Sequence, residues 1–446
     1  MKKRLGNLNA TGKLAVGFGL IILAGTFVLM LPFSSRSGSW TSFLNALFTA
    51  TSATCVTGLV VVDTYQYWSL FGQLVILVLI QVGGLGFITL GAYLSVILKK
   101  KIGLKERTAI HESISTIEIA GVVRMVKRIV QGTFLFELTG AVLLSIRFIP
   151  EFGWGRGIYF GIFHSVSAFC NAGFDLMGIR EAYSSLTAYE GDVLVNLTIM
   201  GLILVSGIGF LVWDDFYRNG FHYKKYLLHT KIMLAASFVL VFGGAILFYL
   251  FENNGLFAGM TLKEKALGAL FCSVSPRTAG FNTTDLAGLG NASKLLTMLL
   301  MFVGGGSGST AGGIKVTTAV VMVFTAVATI GKTQGVNIFK RRLEEDVVRR
   351  ASAIVTYNGI LILIVSMIIL AIQPFSFTDV FMETFSAMGT VGLSTGITRQ
   401  LLPVSKALLI LLMYFGRLGS LTFALVFAQR RVVPPVQQPV EKIVVG

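Results

Sequence analysis

Four short strings share one pattern: small residues, then a glycine, then a larger apolar residue. They are Cys55-Val56-Thr57-Gly58-Leu59, Cys170-Asn171-Ala172-Gly173-Phe174, Arg277-Thr278-Ala279-Gly280-Phe281 and Gly389-Thr390-Val391-Gly392-Leu393. The glycines recur at intervals of about 110 residues, so the chain is one large unit used four times over. Each string closes an apolar stretch too short to cross a bilayer and precedes one long enough to do so. A chain with this rhythm must bury four equivalent turns at one depth, and that leaves few architectures open to it.

Composition names the solvent. The 446 residues are 54% hydrophobic and 13% charged, with a mean hydropathy of +0.78. A water-soluble fold could not hide that much apolar surface, so lipid must cover it. Spanning stretches are expected at 13–31, 70–98, 122–148, 192–217, 230–251, 294–330 (interrupted), 351–373 and 403–428. Between the members of each pair lie the short segments 41–57, 157–172, 262–275 and 377–389. These read as re-entrant, because irregular backbone at membrane depth is tolerated where it lines a polar path. The expected fold is therefore an all-α polytopic membrane protein with four pseudo-symmetric helix–pore-loop–helix repeats around one central pore. Repeat one takes 13–98, repeat two 122–217, repeat three 230–331 with a broken inner helix, and repeat four 351–428. Cytosolic links at 99–121, 218–229 and 332–350 join them, and a cytosolic tail at 429–446 follows. The first apolar run follows Met1-Lys2-Lys3-Arg4 as a signal peptide would, but it fits the repeat as its first outer helix.

The net charge of +16 comes from 37 Lys and Arg against 21 Asp and Glu. The cations gather before residue 14, at 99–128, 218–231 and 332–350, and after 428. That is the positive-inside distribution, which places both termini in the cytosol and argues against nucleic-acid binding. Cys55, Cys170 and Cys272 all fall in the short segments and read as packing residues.

Within each unit the order is outer helix, pore helix, glycine turn, inner helix. The inner helices carry a second glycine feature: Gly83-Gly84-Leu85-Gly86, Ser206-Gly207-Ile208-Gly209, Gly306-Ser307-Gly308 and Arg417-Leu418-Gly419. Thr261-Leu262-Lys263-Glu264 has capping-box spacing, and Ser39 or Thr41, and Thr378 or Asp379, are candidate caps for the first and fourth pore helices. Helices that descend from outside turn their negative ends toward mid-membrane, where they favour a cation. Glycine adopts the backbone angles that aim successive carbonyls at one axis. A path of carbonyls can then replace the hydration shell of an ion. The expected lining is Val56, Thr57 and Gly58; Asn171, Ala172 and Gly173; Thr278, Ala279 and Gly280; and Thr390, Val391 and Gly392. Four glycine turns kept only for helix packing are the plainer alternative. Asp63, Asp175, Asp285 and Glu383 suggest an acidic outer mouth that concentrates cations; for any one of them, ordinary loop charge is the competing reading.

Residues Gly304, Gly305, Gly306, Ser307, Gly308, Ser309, Thr310, Ala311, Gly312 and Gly313 interrupt the third inner helix. Six glycines at about 1 kcal/mol each cost a helix roughly 5–6 kcal/mol, so it should break there. A polar loop halfway down a pore can block it in one state and move aside in another. Gly306 to Ala311 matches a dinucleotide fingerprint by letter, but an apolar span precedes it and the acid is missing. Gly308 to Gly313 has P-loop spacing, yet Ile314 stands where lysine belongs. Lys315 and Arg417 lie at membrane depth, where a charge is a functional hypothesis by default. Arg417 is expected to contact the loop and raise an electrostatic barrier in a closed pore. Arg277 is expected to brace the filter from behind, with Glu383 as a partner.

The C-V-T-G-L, C-N-A-G-F, S-P-R-T-A-G-F and T-V-G-L strings resemble the Trk/Ktr/HKT potassium-transporter superfamily over residues 13–428, most of all the membrane subunit of bacterial Ktr systems. The resemblance implies potassium uptake, usually sodium-stimulated, a homodimer, and an intramembrane gating loop at the glycine-rich stretch. In plant HKT relatives a serine in place of the first filter glycine goes with sodium preference; here the residue is Gly58. It also implies a cytosolic nucleotide-binding ring of RCK type (KtrA-like) as partner, so that K+ is the transported ion and any nucleotide sits on the ring. Segments 99–128, 218–229 and 332–350 and the tail after Arg430 are its candidate contacts. His111, His164, His222 and His229 are scattered, and no catalytic constellation is legible. A cation carrier of the alternating-access type, with discontinuous helices, is the rival reading.

Overall fold

The computed structural model describes residues 10–98, 103, 107, 108, 110 and 121–419. Most of the 99–121 link, the last stretch of repeat four and the 429–446 tail lie outside the described residues. The outer helices are α1 (Ala10–Met30), α5 (Val122–Phe152), α9 (Leu228–Glu252) and α13 (Glu345–Ile372). Among the described residues they are the helices long and apolar enough to cross a bilayer unbroken. Their outward faces carry exposed Leu20, Phe27, Leu135, Leu138, Phe238, Leu250 and Met367, as lipid contact requires.

Inside them descend four short helices: α2 (Phe43–Thr54), α6 (Trp154–Phe169), α10 (Leu262–Val274) and α14 (Phe377–Gly389). The capping box at α10 is formed, with Thr261 and Glu264 exchanging bonds. At α14 the cap is Ser376, whose hydroxyl accepts from the Asp379 N–H at 3.1 Å, rather than Thr378 or Asp379. At α2 the cap position is Ser42, with no side-chain bond. The second short helix starts at Trp154, directly after the Gly153 turn that ends α5, so it runs three residues earlier than its apolar stretch suggests.

The inner segments differ most from expectation. Both 70–98 and 192–217 read as continuous spans, and both are broken. The first is α3 (Leu70–Leu85) and α4 (Phe87–Ile97), bent by 89°; the second is α7 (Val193–Gly207) and α8 (Phe210–Asn219), bent by 88°. Gly86 (φ 79°) and Gly209 (φ 97°) occupy the breaks, in a backbone region closed to a helix. The third consists of α11 (Asn291–Phe302) and α12 (Val316–Ile330), parted by the glycine-rich loop. The fourth, α15 (Pro403–Leu418), ends at Gly419 (φ 83°). A two-residue ribbon, Asn337–Ile338 against Arg341–Arg342, folds the third link.

Each inner helix packs on the short helix of the following repeat: α3 on α6, α7 on α10, α11 on α14, and α15 back on α2. The chain thus closes on itself. Small residues permit the approach. A Cβ on Gly84 would lie 2.6 Å from the Cys170 sulfur, and one on Gly389 would lie 2.6 Å from the Met301 carbonyl. The three cysteines are buried and unpaired.

Candidate functional site

The four short helices converge on the four glycine strings, and each string adopts one backbone pattern. Val56 (φ 58°), Asn171 (φ 59°), Thr278 (φ 73°) and Thr390 (φ 50°) have positive φ, as do Gly58 (φ 92°), Gly173 (φ 68°), Gly280 (φ 79°) and Gly392 (φ 94°). Left-handed backbone at a non-glycine residue is uncommon and marks a constrained site. Here it occurs four times at the same place, two residues before the glycine. The intervening N–H groups turn backward: Thr57, Ala172 and Val391 donate to the carbonyls of Ser52, Ser167 and Ser386, all at 2.8 Å, and Ala279 to Ser275 at 2.9 Å. Gly58 and Gly392 donate to the Ser52 and Ser386 hydroxyls at 3.1 and 3.0 Å. With the amide before each glycine, and those of Gly58 and Gly392, bonded from behind, the strings have carbonyls left for the other side.

The strings meet in a ring. A Cβ on Gly58 would fall 2.5 Å from the Ala172 carbonyl oxygen, and one on Gly173 would fall 2.9 Å from that of Ala279. Gly280 in turn faces the Val391 oxygen and Gly392 faces that of Thr57. Every glycine therefore touches the carbonyl of the residue before the next glycine, and the fourth touches the first. Above the ring lies a cavity of about 100 Å³ into which all four glycines open. The residues two beyond them (Val60, Asp175, Asn282 and Ser394) line it together with Asp63.

The acids do not form the expected fourfold mouth. Asp63 lines the cavity but is largely occupied, accepting from the N–H groups of Tyr65, Gln66 and Tyr183 at 2.7–2.9 Å. Asp175 stands at the rim. Withdrawal from solvent, partly offset by its Met177 N–H bond and reinforced by Asp63, pushes its pKa up to about 7. Asp285 is exposed and outside the lining. Glu383 is fully buried behind the fourth string, where Ser394 (2.7 Å) and Thr398 donate to it. His164 occupies the same place in repeat two and accepts from the Leu176 N–H at 3.2 Å. Neither side chain is at the mouth. Nor does Arg277 reach Glu383: it is buried and donates to the Ser237 hydroxyl at 3.0 Å.

Below the ring the glycine-rich segment forms a tight loop against the second, third and fourth strings. Gly304 N–H donates to Ile314 at 2.8 Å, Val316 N–H to Gly305 at 3.0 Å, and Gly306 N–H to Gly207 of the second repeat at 2.8 Å. Its upper surface meets the undersides of the strings. The Asn171 amide donates to the Thr310 hydroxyl at 3.1 Å, and that hydroxyl lies 3.3 Å from the Phe169 carbonyl. A Cβ on Gly304 would lie 3.1 Å from Thr278 Cγ2, and Gly312 is tight against Thr390. Lys315 holds the loop's own shape, donating to Ala311 at 2.6 Å and Gly312 at 3.4 Å. Ser309 bonds Gly306 at 2.7 Å, and Ser307 pairs with Thr317 at 3.2 Å. Gly308 accepts from the Phe210 N–H at 2.7 Å, and Gly313 donates to Gly416 at 3.3 Å. Arg417 donates to the Thr310 carbonyl and to those of Gly83 and Gly84 (3.1 Å for the last), so one guanidinium joins repeats four, three and one. Sequence reasoning placed Arg417 near the loop but missed its grip on the first inner helix.

A profile of the TrkH family, described as cation transport protein, matches residues 10–433. The chain is 40% identical to the potassium/sodium uptake protein NtpJ of Enterococcus hirae, covering 100% of this chain and 99% of that one. It is 41% identical to the Ktr system potassium uptake protein B of Bacillus subtilis, covering 93% and 92%. Among solved structures, the potassium transporter TrkH of Vibrio parahaemolyticus superposes with a TM-score of 0.74 at 19% identity, covering 93% of this chain and 83% of that one.

Proposed function

The chain belongs to the TrkH family of cation transport proteins, and we propose that it takes up potassium through a channel-like pore formed by its four glycine strings. The observation that carries the reading is the closed ring, in which each glycine lies against the carbonyl of the next string above a mouth cavity. Backbone oxygens ringed in this way suit a dehydrated monovalent cation, and without fixed charge they do not trap it. Val56, Asn171, Thr278 and Thr390 form the inner end of this filter, with Thr57, Ala172, Ala279 and Val391 at its middle. The relatives named for potassium or potassium/sodium uptake support the choice of ion.

In this reading the 304–313 loop is the gate, seated in the position that closes the pore. Arg417 is its latch and places a positive charge on the path. Lys315 keeps the loop's fold. Asp175, with Asp63, draws cations to the mouth. The basic cytosolic segments receive an RCK-type ring that carries the regulatory nucleotide, sodium stimulates uptake, and two copies form a homodimer in a bacterial cell membrane with both termini inside. The broken inner helices would also suit a carrier, but four parallel repeats around one ring favour a pore.

The test is potassium against sodium uptake in a host lacking its own potassium systems. Expected is growth at low potassium, lost in Gly58→Ala and Gly280→Ala. Uptake that saturates with obligatory counter-ion stoichiometry, or that survives both substitutions, would sink the pore reading.

A further inference from the structure

A cavity of about 530 Å³ opens at the periphery of the helix bundle between α5 and the α7–α8 bend. Its walls are apolar and aromatic, with Ile129, Phe136, Val205, Phe210 and Trp213 among them. One end is charged. Arg128 and Arg218 both grip Asp214, at 2.7 Å each, and the Arg128 guanidinium lies 4.0 Å over the Tyr217 ring. Arg124 is exposed one turn along the same helix end, and Tyr217 and Phe221 flank the opening. From Arg128 to Phe136 the helix rises about 12 Å, so the cavity runs from a cationic rim into an apolar interior. Two arginines against one aspartate leave the rim net positive, before Arg124 is added.

We propose that this cavity is a binding site for an anionic phospholipid, its headgroup at the Arg128–Arg218 rim and one acyl chain along Phe136 and Trp213. A basic pocket between membrane helices on the cytosolic side is the setting in which anionic headgroups bind. A chain seated there gains close van der Waals contact with the aromatic walls, the term that drives apolar association inside a membrane. Occupancy is communicated inward by two contacts. Phe210 forms a wall and donates its N–H to Gly308 of the loop at 2.7 Å. Phe136 and Trp213 pack on Phe169, with ring centroids 6.2 and 5.9 Å away, and the Phe169 carbonyl lies against Thr310 of the same loop. A chain in the cavity therefore steadies both wall contacts of the loop. The communication rests on reading that loop as a gate; the binding does not.

The experiment uses the full chain in nanodiscs of phosphatidylcholine with or without phosphatidylglycerol, with retained lipid counted by native mass spectrometry. Expected is selective retention of phosphatidylglycerol, reduced about tenfold by Arg124→Ala with Arg218→Ala, both of them exposed. Val205→Trp, which sets an indole across the acyl path beside Trp213, should weaken it further. Equal retention of the two lipids, or retention untouched by both variants, overturns the site. Rubidium flux in matched proteoliposomes reads the second half: it should depend on phosphatidylglycerol in the parent chain and lose that dependence when residues 306–312 are trimmed. Persisting dependence in the trimmed chain overturns the communication. The trimmed chain's absolute flux reports separately on the gate.

Discussion

Arg417→Ala tests the latch, and the structure fixes what it should cost. Arg417 stands on α15, and the carbonyls of Gly83 and Gly84 on α3; α15 packs on α2, and α2 on α3. Those bonds stay within the packed frame whatever the loop does. Only the bond to the Thr310 carbonyl distinguishes a seated loop from a withdrawn one. A hydrogen bond from a charged donor is worth roughly 1.5–3 kcal/mol, which changes the seated-to-withdrawn ratio by about 10- to 150-fold. Losing the positive charge from the path acts in the same direction. Rubidium flux through the chain alone in proteoliposomes should therefore rise at least tenfold, up to the limit of a permanently open pore. Arg417→Lys keeps the charge, but its compact ammonium cannot reproduce the fork that spans Thr310 and Gly83, so flux should fall between the two. Flux equal to the parent in a folded Arg417→Ala protein would refute the latch. A decrease would show that the guanidinium assists conduction instead.

The other expectations follow from single contacts. Gly58→Ala forces a side chain into a left-handed backbone and to 2.5 Å from the Ala172 oxygen, about 0.8 Å inside a normal carbon–oxygen contact. The ring must widen, so potassium uptake should fall by an order of magnitude or more and sodium competition should rise, read by flux in paired salts. Asp175, with its pKa raised to about 7, is ionised above that pH and neutral below it. The uptake KM for potassium should accordingly increase as external pH falls through 7, and Asp175→Asn should have the high KM at every pH. Glu383→Ala leaves the Ser394 and Thr398 hydroxyls without their acceptor and should cost about 1–3 kcal/mol of stability in thermal unfolding. Glu383→Gln retains an acceptor and should cost less. Equal loss in the two would mean that packing alone holds this region.

Local chemistry that repeats was legible in the sequence, and contacts between repeats were not. The four glycine strings, the capping box at Thr261 and Glu264, and the break at 304–313 could be read because each is written within a few residues. Six clustered glycines announce a break. The smaller clusters at Gly83, Gly84 and Gly86 and at Gly207 and Gly209 do so less strongly, because they cost a helix about 2–3 kcal/mol; the positive φ of Gly86 and Gly209 appears only once the chain is folded. The mouth departs from the expected acidic ring for a related reason. Counting acids near each glycine included Asp285 and Glu383, whereas the alternating backbone sends the residue two beyond the glycine to the cavity. Aligning Val60, Asp175, Asn282 and Ser394 at that offset would have found the lining and shown that one of the four is acidic.

That asymmetry bears on how such a pore works. The ring is fourfold in backbone, since Gly58, Gly173, Gly280 and Gly392 make equivalent contacts with the following string. Selecting an ion by carbonyl spacing needs only this equivalence. Control needs difference, because four identical walls leave nothing to stop an ion that the ring accepts. The differences cluster along one line: Asp175 above, Asn171 at the lower end of the ring, Thr310 in the loop and Arg417 beneath. The loop divides the inner helix of repeat three in two, and Arg417 supplies from repeat four the cation that bonds it. The symmetric part of the chain is thus suited to admitting the ion, and the departures from symmetry lie where its passage would be controlled.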